Sequence, residues 1–310
     1  VIKSIPVTIL TGFLGAGKTT FLKDWLHAFG DQKWAVIENE WGQENVDAAW
    51  VTSEKQPVFQ LTQGCICCTL HEQFYTVLGQ IHEQAENWDG LLIETTGVAD
   101  PAGVLSPFLV TPALKDAFPL ARVICLVDPD LWQARVNTST ELRRQAAYAS
   151  VFVLTKADQA SPDVQHQVAA ELHALFPDVP VFLGEKGKFP FPEIIAHQAY
   201  EIPCAIQNFE SREHHTAHIS SITLRFDRPF SLQTLRWRLA GFLTFQAQDV
   251  WRLKGWVMDE VGQVWALQSV GNQMTLTLSA QAATGSVIVL IGNQLKRPGY
   301  EKFFKTCLVP

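Results

Sequence analysis

A glycine-rich loop, set between a β-branched apolar run and a helix-forming segment, constrains this chain more than any other feature. Gly12-Phe13-Leu14-Gly15-Ala16-Gly17-Lys18-Thr19 matches G-x-x-x-x-G-K-[ST] at every specified position. Glycines at 12, 15 and 17 let the backbone turn tightly, so that successive N–H groups point inward at phosphate oxygens. Lys18 would reach the β- and γ-phosphates and the Thr19 hydroxyl would ligate Mg²⁺. Gly12, Gly15, Ala16, Gly17, Lys18, Thr19 and Thr20 are therefore nucleotide-binding candidates. Val7-Thr8-Ile9-Leu10 reads as a buried strand, and Thr20 to Phe29 as a helix whose N-terminus would face the phosphates.

With 310 residues the chain exceeds the size at which a single core stops growing, so two domains are expected. A hydrophobic share of 47% and a charged share of 18% describe a globular protein. The net charge of −7, with no long Lys/Arg stripe to offset it, argues against nucleic acid as a partner. No charged-then-apolar leader and no run of membrane length is present, so a cytoplasmic or similarly reducing location is expected and a membrane partner is not. Of six cysteines, Cys65, Cys67 and Cys68 crowd into four residues, a spacing that suits metal or redox chemistry better than disulfides. Cys125 and Cys204 read as core or linker residues, and Cys307 has no assignable partner.

The remaining motifs fall where strands run out. Trp34–Ile37 leads into Glu38-Asn39-Glu40-Trp41-Gly42, and functional loops sit at such ends in open α/β sheets. Within the polar stretch 43–56, Asp47 is a candidate partner for Mg²⁺ or water. Val58–Leu61 leads to Gly64-Cys65-Ile66-Cys67-Cys68 and then to a helix over Leu70–Ala85. Leu91–Ile93 ends in Glu94-Thr95-Thr96-Gly97, where Glu94 would hold Mg²⁺ through water and Gly97 would offer its N–H to a γ-phosphate. Lys18, Glu94 and Gly97 are thus the catalytic candidates.

Val123–Val127 is another strand, ending at Asp128-Pro129, and a helix with Glu141, Arg143 and Arg144 follows. Val151–Leu154 ends in Thr155-Lys156-Ala157-Asp158. A carboxylate at 158, buried under a bound base, would accept from N1–H and the 2-amino group of guanine, whereas adenine would leave it unpaired. Lys156 would lay its aliphatic stem along the base, and Thr155 completes the candidate base loop. A helix (164–176) and a strand (179–183) finish an alternating pattern that implies a mostly parallel sheet with helices on both faces.

The expected architecture is α/β: a P-loop NTPase domain over 1–205, a histidine-containing linker over 206–218, and a smaller α+β domain over 219–310. In the last, strands at 219–226, 250–258, 264–270, 274–278 and 287–291 and a helix at 231–242 suggest an antiparallel sheet.

In this order the pieces resemble the CobW-type family of P-loop GTPases, relatives of proteins that help insert nickel into urease and hydrogenase. The resemblance rests on Thr11 to Thr20, Glu38 to Gly42, Gly64 to Cys68, Glu94 to Gly97 and Thr155 to Asp158. In the second domain it rests on Arg252 to Gly255, Leu267 to Gly271 and Ile288 to Gly292. It implies a low-turnover GTPase that binds GTP or GDP with Mg²⁺, carries a transition metal, most often Zn²⁺ but also Co²⁺ or another ion, and passes it to a client metalloprotein. Two departures stand out: Gln43 and Glu44 replace the usual order of an acid directly after the glycine, with Trp41 for Phe, and the family's long histidine run is reduced to His214, His215 and His218.

Thiolates at 65, 67 and 68 are soft ligands suited to Zn²⁺ or Cu⁺, but cysteines that close are not expected to fill a tetrahedral shell alone. Glu38, His71, Glu72 or a second copy in a nucleotide- or metal-dependent homodimer could complete it. His214, His215 and His218 would form a second loading site if a helix or loop brought them together, and otherwise a solvated linker. Three functions remain open: a GTP-driven metallochaperone, a zinc buffer or sensor switched by GTP, and a GTP-using subunit of cobalamin assembly.

Overall fold

The computed structural model describes residues 3–38, 58–60, 70–185, 187–197, 213–215, 219–246, 249–279 and 285–309. Two compact units form, the first from residues up to Tyr200 apart from Ala174–Phe176, the second from Glu201 onward together with those three.

In the first unit, β1 (Val7–Gly12), β2 (Trp34–Glu38), β3 (Val58–Gln60), β4 (Gly90–Glu94), β5 (Leu120–Val127), β6 (Val151–Leu154) and β7 (Val181–Leu183) build one sheet in the order β3-β2-β4-β1-β5-β6-β7. Every pairing is parallel. Continuous apolar strands are required there, because crossover helices cover both faces; β1, β2 and β6 are buried at every position.

The crossovers are α1 (Lys18–Ala28), α2 (Leu70–Glu83), α3 (Ala102–Val110), α4 (Pro112–Ala117), α5 (Pro129–Arg135), α6 (Thr140–Tyr148) and α7 (Pro162–Leu175), and α8 (Phe191–Ala196) follows the last strand. Phe21, Leu22, Trp25 and Leu26 place one stripe of α1 in the core with Leu10, Trp34 and Phe191. Trp25 meets Trp34 and Phe191 edge-on, with ring centroids 5.4 and 5.5 Å apart. The helix that carries the phosphate loop is therefore fixed to the sheet by aromatic packing.

β1 lies between β4 and β5, so the chain leaves β1 in one direction towards β2 and later returns on its other side to β5. A ligand crevice opens at such a switch point, beyond the C-terminal strand ends.

The second unit holds β8 (Glu213–His215), β9 (Ser220–Phe226), β10 (Val250–Met258), β11 (Val264–Val270), β12 (Gln273–Leu278) and β13 (Ser286–Gly292), in the order β12-β11-β10-β13-β9-β8 and antiparallel throughout. Its helices are α9 (Leu232–Gln246) and α10 (Arg297–Lys305). Leu235, Leu239 and Leu243 present one face of α9 to a core shared with Leu253, Ile288 and Phe304.

Several sequence expectations are revised. Residues 213–215, expected within the linker, form β8, with His214 paired to Ser221 and His215 to Ser220. α3, α4, α5 and α10 were not foreseen; Pro107 inside α3 and Pro112 and Pro129 at helix starts obscure the apolar period. Cys307 is buried, with its thiol 3.8 Å from the Phe303 carbonyl, so it is a core residue of the second unit.

Candidate nucleotide and metal site

The phosphate loop follows from three local facts. Gly15 and Gly17 sit at φ 79° and 87°, a left-handed backbone that a side chain would strain, and a Cβ on either would point into open space. Gly17 is the N-cap of α1 and no side chain caps that helix, so its first-turn N–H groups face the loop. Lys18 is buried, and its ammonium donates to the carbonyls of Gly12 at 2.9 Å and Phe13 at 3.3 Å. Burial lowers its pKa, against the opposing pull of Glu94 and Cys125. The lysine is thus a desolvated cation held by two carbonyls of the loop itself, which anionic phosphate oxygens can displace. Thr19 is half-buried and Thr20 exposed at the start of α1. These features fit a nucleotide triphosphate and its Mg²⁺.

Glu94 ends β4 in register with Leu10 of β1 and with Glu38 of β2, and Glu38 is in turn in register with Gln60, the last residue of β3. Three polar residues from neighbouring strands therefore form one row. Glu38 is only 6% exposed, so the sheet end carries a buried carboxylate. Beyond Glu94, Thr95 donates its hydroxyl to Thr11 at 3.0 Å, which binds the turn to β1. Gly97 lies against the phosphate loop: a Cβ there would come within 2.7 Å of the Leu14 nitrogen. Only glycine allows this approach.

Two residues outside the motifs hold that turn. Gln145 of α6 is buried and donates to the carbonyls of Gly97 at 3.1 Å and Ala99 at 3.2 Å. Its neighbour Arg144 pairs with Asp100 at 2.9 Å. Neither was foreseen, and the only available signal was a glutamine and an arginine on an otherwise half-apolar helix.

On the other side of β1, Thr155 donates its hydroxyl to the Ala16 carbonyl at 2.8 Å, so its link to a nucleotide runs through the phosphate loop. Lys156 adopts φ 53°, a left-handed conformation uncommon for a side-chain-bearing residue. Its ammonium pairs at 2.9 Å with Asp128, whose other oxygen caps α5 by accepting from the Leu131 N–H at 3.2 Å. The loop backbone is fixed as well: Gly184 donates to Leu154 at 2.7 Å, Ala157 donates to Gly184 at 3.3 Å, and Gln165 donates to the Ala157 carbonyl. Asp158 is exposed rather than buried. It ends a braced loop open to solvent, so burial of its carboxylate would have to come from the base itself.

Asp47, Cys65, Cys67, Cys68 and His218 lie outside the described residues, and His71, His214 and His215 are placed by backbone alone, in α2 and β8. Among the described residues, no group of three or more His, Cys, Asp or Glu could hold a metal. Glu38 is a candidate transition-metal ligand whose burial is described as well as its backbone. Also among the described residues, no helix is long and apolar enough to cross a membrane.

Comparison with known proteins agrees with this geometry. Residues 6–182 match the CobW/HypB/UreG nucleotide-binding domain, and residues 219–308 the C-terminal domain of the cobalamin synthesis protein CobW. The chain is 32% identical over 237 residues to the zinc chaperone YjiA of Escherichia coli, covering 74% of each chain. It is 31% identical over 227 residues to the zinc chaperone CobW of Pseudomonas aeruginosa, covering 63% of this chain and 60% of that one. The fold is that of the zinc-bound YjiA GTPase of E. coli, at a TM-score of 0.76 over 99% of this chain and 100% of that one, with 24% identity. This protein belongs to the CobW/HypB/UreG family of nucleotide-binding proteins.

Proposed function

We propose that this protein is a GTP-hydrolysing metallochaperone of low turnover, which holds a transition metal, zinc in the first instance, at Cys65-x-Cys67-Cys68 and passes it to a client metalloprotein. The observation that carries the reading is the shared row Gln60–Glu38–Glu94. Glu94 belongs to the nucleotide side, Glu38 is a candidate metal ligand, and the cysteines begin five residues after Gln60 in the sequence.

In this reading Lys18 and the first-turn N–H groups of α1 bind the β- and γ-phosphates, and Asp158 reads guanine while the Lys156 stem lies along its ring. Thr19 and, through water, Glu94 would hold Mg²⁺, which would supply neutralisation of phosphate charge. Gly97 presents its N–H to the γ-phosphate, and that contact is lost on hydrolysis. Zinc is cargo, taken by soft thiolates with Glu38 among the remaining donors. If the turn moves a ligand, GTP must change zinc affinity, and zinc must change GTP affinity by the same factor, about 5- to 150-fold.

The test is zinc affinity, by competition with a chelating dye, in the GDP state and with a non-hydrolysable GTP analogue. Different affinities in the two states are expected, with the difference removed by Cys67→Ala or Cys68→Ala while GTP still binds. Equal affinities would leave a zinc buffer that hydrolyses GTP, and the delivery mechanism would have no driving force.

A further inference from the structure

Among the described residues, helix α9 of the second unit holds large apolar side chains in solvent. Leu235, Leu239 and Leu243 already give α9 a buried face. The same helix carries a second stripe, Arg238, Gly241, Phe242 and Phe245, at i, i+3, i+4 and i+7, with Trp237 beside it. Trp237 is 78% exposed and Phe245 87% exposed. Phe242 also packs against the core, so what the stripe leaves in solvent is Trp237 and Phe245, and large rings grouped in water mark interaction sites.

The stripe borders an open groove of about 750 Å³, whose far wall is Tyr300 and Phe303 of α10. Phe242 meets Tyr300 edge-on and Phe303 at a tilt, with ring centroids 5.8 and 4.7 Å away, so the rings of the floor pack on one another. Gly241 and Gly299 line the groove, and a Cβ on either would touch nothing within 4 Å. These two positions leave room for incoming side chains. From Trp237 to Phe245 the stripe rises about 12 Å, roughly two turns of a docked helix.

Charge selects the occupant. Residues 219–310 carry ten Lys/Arg against five Asp/Glu, while the other 218 residues carry 14 against 26. At the groove, Arg238 is anchored on the Thr306 hydroxyl at 3.0 Å and Lys296 is exposed, with Asp249 the acid among the lining residues. A basic-edged aromatic groove between two helices suits the helix-in-groove mode of recognition.

We propose that the groove between α9 and α10 docks an acidic amphipathic helix of another protein. Its apolar side chains, at i, i+3 or i+4, and i+7, would enter over Gly241 and Gly299, and its Asp and Glu would face Arg238 and Lys296. The residues that line the groove all belong to the second unit, and the proposal does not depend on the function proposed for the nucleotide and metal residues.

The experiment pans a display library of random 16-residue peptides against the full chain, then measures a recovered, fluorescein-labelled peptide by anisotropy. The expected peptides carry net negative charge and aromatic or Leu anchors at helical spacing. Their dissociation constant should rise at least about tenfold in Trp237→Ser, the loss expected of a central tryptophan. It should rise likewise in Gly241→Leu, which fills the groove and replaces a helical glycine, so its thermal midpoint should not fall. Recovery of neutral or basic peptides, or binding indifferent to both variants, would overturn the proposal. So would equal sensitivity of a 12-nucleotide oligouridylate to the same variants, or a full-length dimer in sedimentation that Trp237→Ser converts to monomer.

Discussion

Lys18 in the first unit and Asp259 in the second are both buried charges, and they are buried in opposite ways. Asp259 accepts from the Val261 N–H at 3.0 Å, the Gln263 N–H at 2.8 Å and the Trp265 indole at 2.9 Å, all within six residues of itself. Burial alone would raise its pKa, but those donors together with Gly262 outweigh it and hold the carboxyl below the usual aspartate range. Among the described residues Lys18 donates to two loop carbonyls, and burial shifts its pKa against the charged form despite Glu94 and Cys125. The aspartate stabilises a turn that is complete as it stands. The lysine costs stability, and an anion would relieve that cost. A buried charge that its own chain has fully satisfied is architecture; one held by replaceable partners marks a site.

The largest effect should come from breaking the second kind. Lys18→Met should weaken GTP binding by about 10²- to 10³-fold, the loss of a charge-assisted contact to phosphate. The same change should leave the thermal midpoint of the nucleotide-free protein unchanged or higher. A depressed lysine pKa means that the native state binds this proton less tightly than the unfolded chain does, a cost that is full below the native pKa and fades as pH rises from there to the ordinary value of 10.5. Nucleotide titration and calorimetry together decide the point: a clear fall in the midpoint would make Lys18 structural, like Asp259. Asp158→Asn should come next, weakening GTP by about 100-fold and favouring xanthosine triphosphate, whose base offers a carbonyl where guanine has its amino group. Equal affinity of the parent protein for ATP and GTP would remove Asp158 from base recognition.

Asp259→Ala should behave in the reverse manner, losing about 2 kcal/mol of stability with three donors left unsatisfied and no change in GTP hydrolysis. Its pH dependence follows from the depressed pKa. The carboxylate's contribution is present at neutral pH and is lost as pH falls below the ordinary value of 3.8 and through the native value. The alanine variant should therefore show a shallower loss of stability below about pH 4. Parallel acid-unfolding curves would show that Asp259 carries no such linkage.

What could be read in advance divides along the same line. The strands of the first unit and the row of motifs at their C-terminal ends were legible, because a parallel sheet buried on both faces needs continuous apolar runs that stop where chemistry starts. The exposed state of Asp158 was not, since burial there depends on a base that is not part of the chain. Gln145 and Asp128 were also missed as site residues. Each acts through a residue far away in sequence, Gln145 on Gly97 and Asp128 on Lys156, and no local pattern records such a contact. Helix α9 was foreseen, but its second apolar stripe could not be told from a core face by period alone.

Asp128 tests whether the division holds for a residue with a foot on each side. One oxygen caps α5 at the Leu131 N–H, a structural task, and the other pairs with Lys156, whose left-handed backbone starts the loop that ends in Asp158. Asparagine caps a helix as well as aspartate does, but it cannot form the ion pair. Asp128→Asn should thus keep stability within about 0.5 kcal/mol, because a partly exposed ion pair is worth little by itself. It should still weaken GDP binding by about three- to tenfold, since the Lys156 stem would no longer be held in place to meet the base. Asp128→Ala, which loses the cap too, should cost about 1 kcal/mol more in stability with no further loss of GDP affinity. In a double-mutant cycle with Lys156→Ala the two affinity losses should fail to add, because both remove one arrangement. Additive losses, or a parental GDP affinity in Asp128→Asn, would place Asp128 beside Asp259 as architecture and leave Lys156 to position itself.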